Sequence, residues 1–206
     1  GNTYGSIAAV DYLLESVAAT AITMSGFGRF IQDLLLWSRA EFSYVRLADG
    51  FVQSSSLMPQ TRNPVALEHA RAIASKALGQ AAAILVSVHN TPFGDVVDTE
   101  DDLQPLVLSM FRDAARAVKL VAAALETAEF DVTRLQARAG ECGMTLTELA
   151  DTLVRDKGLP FGIAHAVACR VADVRCTNPE AGLSETLSEA TATLAGAPIE
   201  YSEAQL

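Results

Sequence analysis

The sequence predicts an all-α fold, a long-helix bundle portion followed by a small helical C-terminal domain. Three observations lead there. Apolar residues recur three or four apart over long stretches, the period of a helix with one buried face. No stretch of useful length alternates at the period of a strand. Proline and glycine fall between the periodic stretches, where helices start and stop.

The first stretch runs from residue 6 to about 48, with Val10, Leu13, Leu14, Val17, Ile22, Phe30, Ile31, Leu34 and Leu35 on the helical period. Unbroken, it would reach roughly 60 Å at 1.5 Å per residue and would need neighbours along its length. Gly26 and Gly28 allow a kink or a break, since glycine inside a helix costs up to ~1 kcal/mol against alanine. From Asp49 to Arg62 the period stops, and Gln53-Ser54-Ser55-Ser56 followed by Met58-Pro59 reads as a polar loop. Asn63 is the expected N-cap of the next helix, with Pro64 at its first position, where the missing N–H does no harm. That helix reaches about Val88. His89 to Thr99, with Pro92 and Gly94, is a second loop, and Glu100, Asp101 and Asp102 suit the first turn of a third long helix ending near Thr127.

After Glu129-Phe130-Asp131 the segments shorten, to roughly 132–139, 146–157, 161–173 and 183–194. Gly143, Gly158-Leu159-Pro160, Asn178-Pro179 and Gly196 separate them. The expected division is therefore 1–130, part of a central helical bundle with a loop at 50–63, and 131–206, a small helical domain.

Composition narrows the function. Of 206 residues, 50% are hydrophobic, so burial between subunits is expected. The net charge of −10 argues against nucleic acid, which needs a basic stripe to displace phosphate counterions. No apolar run reaches the ~18–20 uncharged residues of a membrane helix, so no membrane partner is expected. Cys142, Cys169 and Cys176 are odd in number and lack CxxC spacing, which reads as buried reduced thiols in a cytoplasmic protein. The sequence opens on Gly1 without a signal segment, and upstream residues are expected to be lost, omitted or encoded elsewhere. No metal site is expected. His69 and His165 have no second ligand at metal spacing, and Asp95, Asp98, Glu100, Asp101 and Asp102 read as a charged helix start rather than a calcium loop. His89, at the start of the second loop, is a candidate to line a site.

The segment Ser54-Ser55-Ser56-Leu57-Met58-Pro59-Gln60-Thr61-Arg62-Asn63-Pro64 resembles the mobile loop of the fumarase/aspartase superfamily, G-S-S-x-M-P-x-K-x-N-P. Ser55, Ser56, Met58, Pro59, Asn63 and Pro64 are identical to the pattern, whereas Ser54 stands at its glycine and Thr61 at its lysine. Leu34-Leu35-Leu36-Trp37-Ser38 with Glu41-Phe42 is similar to the argininosuccinate lyase branch. So are Leu149-Ala150-Asp151, Leu153-Val154-Arg155, Gly158-Leu159-Pro160-Phe161 and Ala164-His165, which resemble that branch's C-terminal domain.

The resemblance implies a component of a C–N lyase that releases fumarate from an N-substituted aspartate, argininosuccinate or a relative, by β-elimination without metal or organic cofactor. Such chemistry removes a weakly acidic proton beside a carboxylate, so a base must be activated and a dianion stabilised. By resemblance Ser55 is that base, a role that demands neighbours able to hold negative charge. Asn63 would bind a substrate carboxylate, Ser56 and Met58 would shape the site, and Glu68 would pair with a histidine of another subunit. Thr61 and its neighbour Arg62 fall where the family's cation contacts substrate. The family builds each site from three subunits of a tetramer, so an N-terminal portion of the same enzyme or a separate subunit is the expected partner. The second loop, Asn90 to Asp95, is longer than in argininosuccinate lyases, which leaves open another N-substituted aspartate, as in diamine-disuccinate lyases. The alternative is a non-catalytic scaffold or assembly subunit of the same fold, as in the crystallin relatives.

Overall fold

The computed structural model describes residues 1–94, 97–140, 146–178 and 180–201. Asp95, Cys142, Gly143 and Pro179 lie outside the described residues, as do the side chains of Asp98 and Glu100. The chain divides into two compact units, Gly1–Asp131 and Val132–Leu206. Eight helices lie among the described residues, so the all-α expectation holds.

In the first unit the helices are α1 (Thr3–Ala8), α2 (Asp11–Trp37), α3 (Val65–His89) and α4 (Val97–Glu126). Helix α3 packs against both α2 and α4. Its inward stripe is small: Ala70, Ala74, Ala77 and Ala81 are buried three or four residues apart, which lets neighbouring helices approach closely. Ile31, Leu34 and Leu35 of α2 and Ala117, Val121 and Ala124 of α4 close around that stripe. A second cluster joins Val17, Ala81, Ile84, Leu103 and Met110. Each fully buried leucine or isoleucine contributes about 1.5–3 kcal/mol relative to exposure.

The expected long first helix is two. Asn2 caps α1 through its side chain, which accepts from the Gly5 N–H at 3.0 Å, and Ala9 is extended between α1 and α2. Helix α2 runs without interruption through Gly26 and Gly28, because burial of Met24 and Ile31 on either side outweighs two weak helix formers. It ends at Trp37 rather than near 48. The Ser38 and Arg39 N–H groups bond back to Leu34 and Leu36, and Ser43 then takes a left-handed conformation, φ 49°. The apolar spacing of Phe42, Tyr44, Val45 and Leu47 imitates a helix but feeds a strand instead. Strand β1 (Val45–Arg46) pairs antiparallel with β2 (Glu129–Phe130), Val45 opposite Phe130 and Arg46 opposite Glu129.

One further expectation changes. Pro64, not Asn63, is the N-cap of α3, since both backbone groups of Asn63 are bonded to Gln53 in an antiparallel bridge, each at 2.9 Å. Helix α3 is long and apolar enough by length and composition to cross a membrane, although Lys76 interrupts its apolar run as the sequence expectation has it. Its stripe of buried residues against α2 and α4 is that of a core helix.

In the second unit α5 (Val132–Gly140), α6 (Leu146–Lys157), α7 (Phe161–Thr177) and α8 (Leu183–Ala195) follow in order. Leu149, Leu153, Val167, Val171, Leu187 and Tyr201 belong to its core. Gly158 (φ 66°) turns the chain between α6 and α7, and Gly196 (φ 81°) ends α8, both in the left-handed region that glycine enters without a Cβ clash. The Lys157 ammonium lies 4.9 Å from the centre of the Tyr201 ring. Cys169 and Cys176 are free but exposed, not buried as expected. They occupy the outer face of α7, where Cys169 Sγ lies 3.6 Å from His165 Nδ1.

Candidate functional site

The loop between Gln53 and Asn63 is a closed structure. The Gln53 N–H donates to the Asn63 carbonyl and the Asn63 N–H to the Gln53 carbonyl, both at 2.9 Å, so the two limbs meet at the base. Within it, the Ser55 N–H donates to Thr61 Oγ1 at 3.0 Å, and the Thr61 hydroxyl donates to the Met58 carbonyl at 2.9 Å. The Thr61 N–H also donates to that carbonyl, at 3.1 Å. Ser55 Oγ accepts from the Leu57 N–H at 3.2 Å, and the Ser55 side chain is half-buried. Ser56 and Met58 are exposed at the tip, beside Leu57, which is 90% exposed.

Arg62 turns away from the tip. Its guanidinium donates to Asp49 Oδ1 at 2.6 Å and to the Leu47 carbonyl at 2.9 Å. That hydrogen bond, together with the charge of Arg62, holds the Asp49 carboxyl below the usual carboxylate range. With its planar fork committed to this turn, Arg62 does not stand in for a free ammonium in the loop. The Asn63 carbonyl accepts from the Val65 N–H at 2.8 Å, so the first N–H of α3 is already bonded.

A cavity of about 980 Å³ lies against the outgoing limb. Thr61, Arg62 and Asn63 line it, together with Ser38, Arg39 and Glu41 from the turn after α2, Arg46 and Leu47 from β1, and Glu129 and Asp131 from the β2 region. Ser55, Ser56, Met58 and Glu68 do not. Glu68 is exposed in the first turn of α3, and its own N–H donates to the Pro64 carbonyl at 3.1 Å. Ser55 therefore reaches the cavity-lining residues through Thr61, while Glu68 stands apart on the helix. His89 is the exposed last residue of α3 and lines no part of this cavity, and His69 and His165 are exposed on helices. Sequence reasoning missed Arg39, Arg46, Glu129 and Asp131. Only the β1–β2 pairing brings the last two to the cavity, and two-residue strands leave no periodic signal. Among the described residues no group of three or more His, Cys, Asp or Glu is placed to hold a metal ion.

A family model described as "Lyase" matches residues 1–79. The chain is 39% identical over 171 residues to argininosuccinate lyase 2 of Agrobacterium fabrum, covering 83% of this chain and 34% of that protein. It is likewise 39% identical over 173 residues to argininosuccinate lyase of Methanoculleus marisnigri, covering 82% of this chain and 34% of the relative. The chain thus spans about a third of the length of the curated relatives it matches. Among solved structures, EDDS lyase in complex with formate superposes with a TM-score of 0.76 at 27% identity, covering 98% of this chain and 40% of that one. The class II fumarase of Schistosoma mansoni shares the fold, with a TM-score of 0.63 at 15% identity over 90% of this chain and 37% of its own. These relationships agree with the loop motif and the long-helix fold, and the chain belongs to the fumarase/aspartase superfamily as an argininosuccinate lyase-like member.

Proposed function

We propose that the chain is a component of a C–N lyase that releases fumarate from an N-substituted aspartate by β-elimination. What carries this reading is the half-buried hydroxyl of Ser55, which accepts an N–H from Leu57 inside a loop of the family pattern. A donor aimed at the oxygen favours its ionised form, the form a serine base requires. Ser55 takes the proton from the carbon beside a carboxylate. The C–H electron pair passes into that carboxylate, then returns to form the fumarate double bond as the C–N bond breaks and the amine leaves. Asn63 binds a substrate carboxylate, Ser56 and Met58 shape the tip, and Glu68 pairs with a histidine supplied from elsewhere in the assembly.

The site is completed by an N-terminal portion of the same enzyme or by a separate subunit, in a cytoplasmic tetramer that uses no metal or organic cofactor. Argininosuccinate is the first candidate substrate and EDDS the second, on the likeness to an EDDS lyase. The test follows fumarate by its ultraviolet absorbance after each compound is mixed with the complete assembly. Fumarate from wild type and none from Ser55→Ala supports the reading; full activity in Ser55→Ala overturns it.

A second reading, a non-catalytic scaffold subunit, is favoured by Thr61 in place of a cation and by the commitment of Arg62 to Asp49. It predicts no fumarate from either compound.

A further inference from the structure

Thr61 occupies the position where the motif carries a lysine, and its hydroxyl is used both as donor and as acceptor. It accepts from the Ser55 N–H at 3.0 Å and donates to the Met58 carbonyl at 2.9 Å, so one side chain spans both limbs of the loop. An ammonium has three donors and no acceptor and cannot receive the Ser55 N–H. A hydroxyl has both. The Ser55–Thr61 bond also fixes the backbone that aims Ser55 Oγ at the Leu57 N–H, 3.2 Å away. When Ser55 is ionised, that bond becomes charge-assisted and roughly twice as strong as its neutral form.

We propose that Thr61 is the positioning residue for Ser55: its hydroxyl braces the loop so that a main-chain N–H, rather than a cationic side chain, holds the Ser55 oxyanion. This rests on the reading of Ser55 as the base. The brace explains how a loop without its lysine keeps a hydroxyl in a basic setting. It also separates two tasks at one position, since Thr61 acts through geometry and not through charge.

The test uses the complete enzyme with Thr61→Val, Thr61→Ser and Ser55→Ala, assayed for fumarate release. Thr61→Val keeps the shape but removes donor and acceptor. It is expected to lower kcat on the order of 100-fold, as a small misplacement of a reacting group does, while KM changes little. The rising limb of the kcat/KM profile moves to higher pH, because a less well-held Ser55 ionises later. Thr61→Ser restores both kcat and the limb. Exchange of the Ser55 amide proton quickens in Thr61→Val and not in Thr61→Ser. An inactive Ser55→Ala beside a Thr61→Val enzyme with wild-type kcat and pH profile overturns the brace and leaves the proposed function standing. An active Ser55→Ala removes the proposed function itself. If Thr61→Val does not fold, Thr61→Ser carries the test: wild-type turnover there supports the brace, and a loss as large as that of Ser55→Ala overturns it.

Discussion

The guanidinium of Arg62 lies 2.6 Å from the Asp49 carboxylate and 2.9 Å from the Leu47 carbonyl, which fastens the outgoing limb of the serine loop to the turn that leads into it. The ion pair is exposed, Asp49 at 87%, so its contribution is to local order. Replacing Arg62 by Ala is expected to leave the global melting temperature almost unchanged while increasing proteolytic cleavage and amide exchange within 54–61. A large fall in melting temperature, with no local change, would contradict this.

Asp113 carries a different kind of charge. Its side chain is 4% exposed, with the Lys76 ammonium at 2.8 Å and the Arg116 guanidinium at 3.0 Å. The bond from Lys76 is the largest of the influences that hold its carboxyl below the usual range, against the opposing effect of burial. Asp113→Asn is expected to destabilise the protein by about 1–3 kcal/mol, measured by urea unfolding, because the buried carboxylate's charge-assisted contacts to Lys76 and Arg116 give way to those of a neutral amide.

The same group sets a pH dependence. A carboxyl with a lowered folded pKa adds stability that is complete above its unfolded value, about 3.9, and is lost as pH falls through the lowered folded value. Wild-type melting temperature should therefore fall below about pH 4 more steeply than that of Asp113→Asn. Equal slopes would show that Asp113 is not the group responsible.

Leu153 is fully buried in the second unit, where α6 meets α7. Leu153→Ala is expected to cost about 2–5 kcal/mol in denaturant unfolding, from lost transfer energy and the cavity left behind. A cost below 1 kcal/mol would mean that the surrounding helices collapse into the space.

The helical class was legible because its signal is local and repeated. Leu146, Leu149, Ala150 and Leu153 fall on one face by spacing alone, and α6 occupies the expected 146–157. The stretch from Ser38 to Leu47 misled because its apolar residues keep a helical spacing while their partner, Phe130, lies far along the chain. A local pattern cannot report a distant pairing. For the same reason Asn63 read as a cap although its backbone is spent on Gln53. The loop motif identified Ser55, Thr61 and Asn63 as neighbours in sequence, but the hydroxyl bonds that join Ser55 to Thr61 depend on dihedral angles that no motif encodes. Glu68 stands in register with the motif yet apart from the cavity, since side chains on successive helical positions point in different directions.

The short pairing of Val45–Arg46 with Glu129–Phe130, extended by the Asp131 N–H donating to the Tyr44 carbonyl at 3.0 Å, stitches the approach to the serine loop onto the far end of the last long helix. The segment that leads into the loop is thereby tied at both ends, at β1 by this pairing and at Gln53 by its bridge to Asn63. Between Gln53 and Asn63 the backbone is held by the hydrogen bonds of Ser55, Leu57 and Thr61. Residues 54–61 belong to none of the buried clusters, so a change in the course of the loop breaks those bonds and leaves the packing of the bundle as it is.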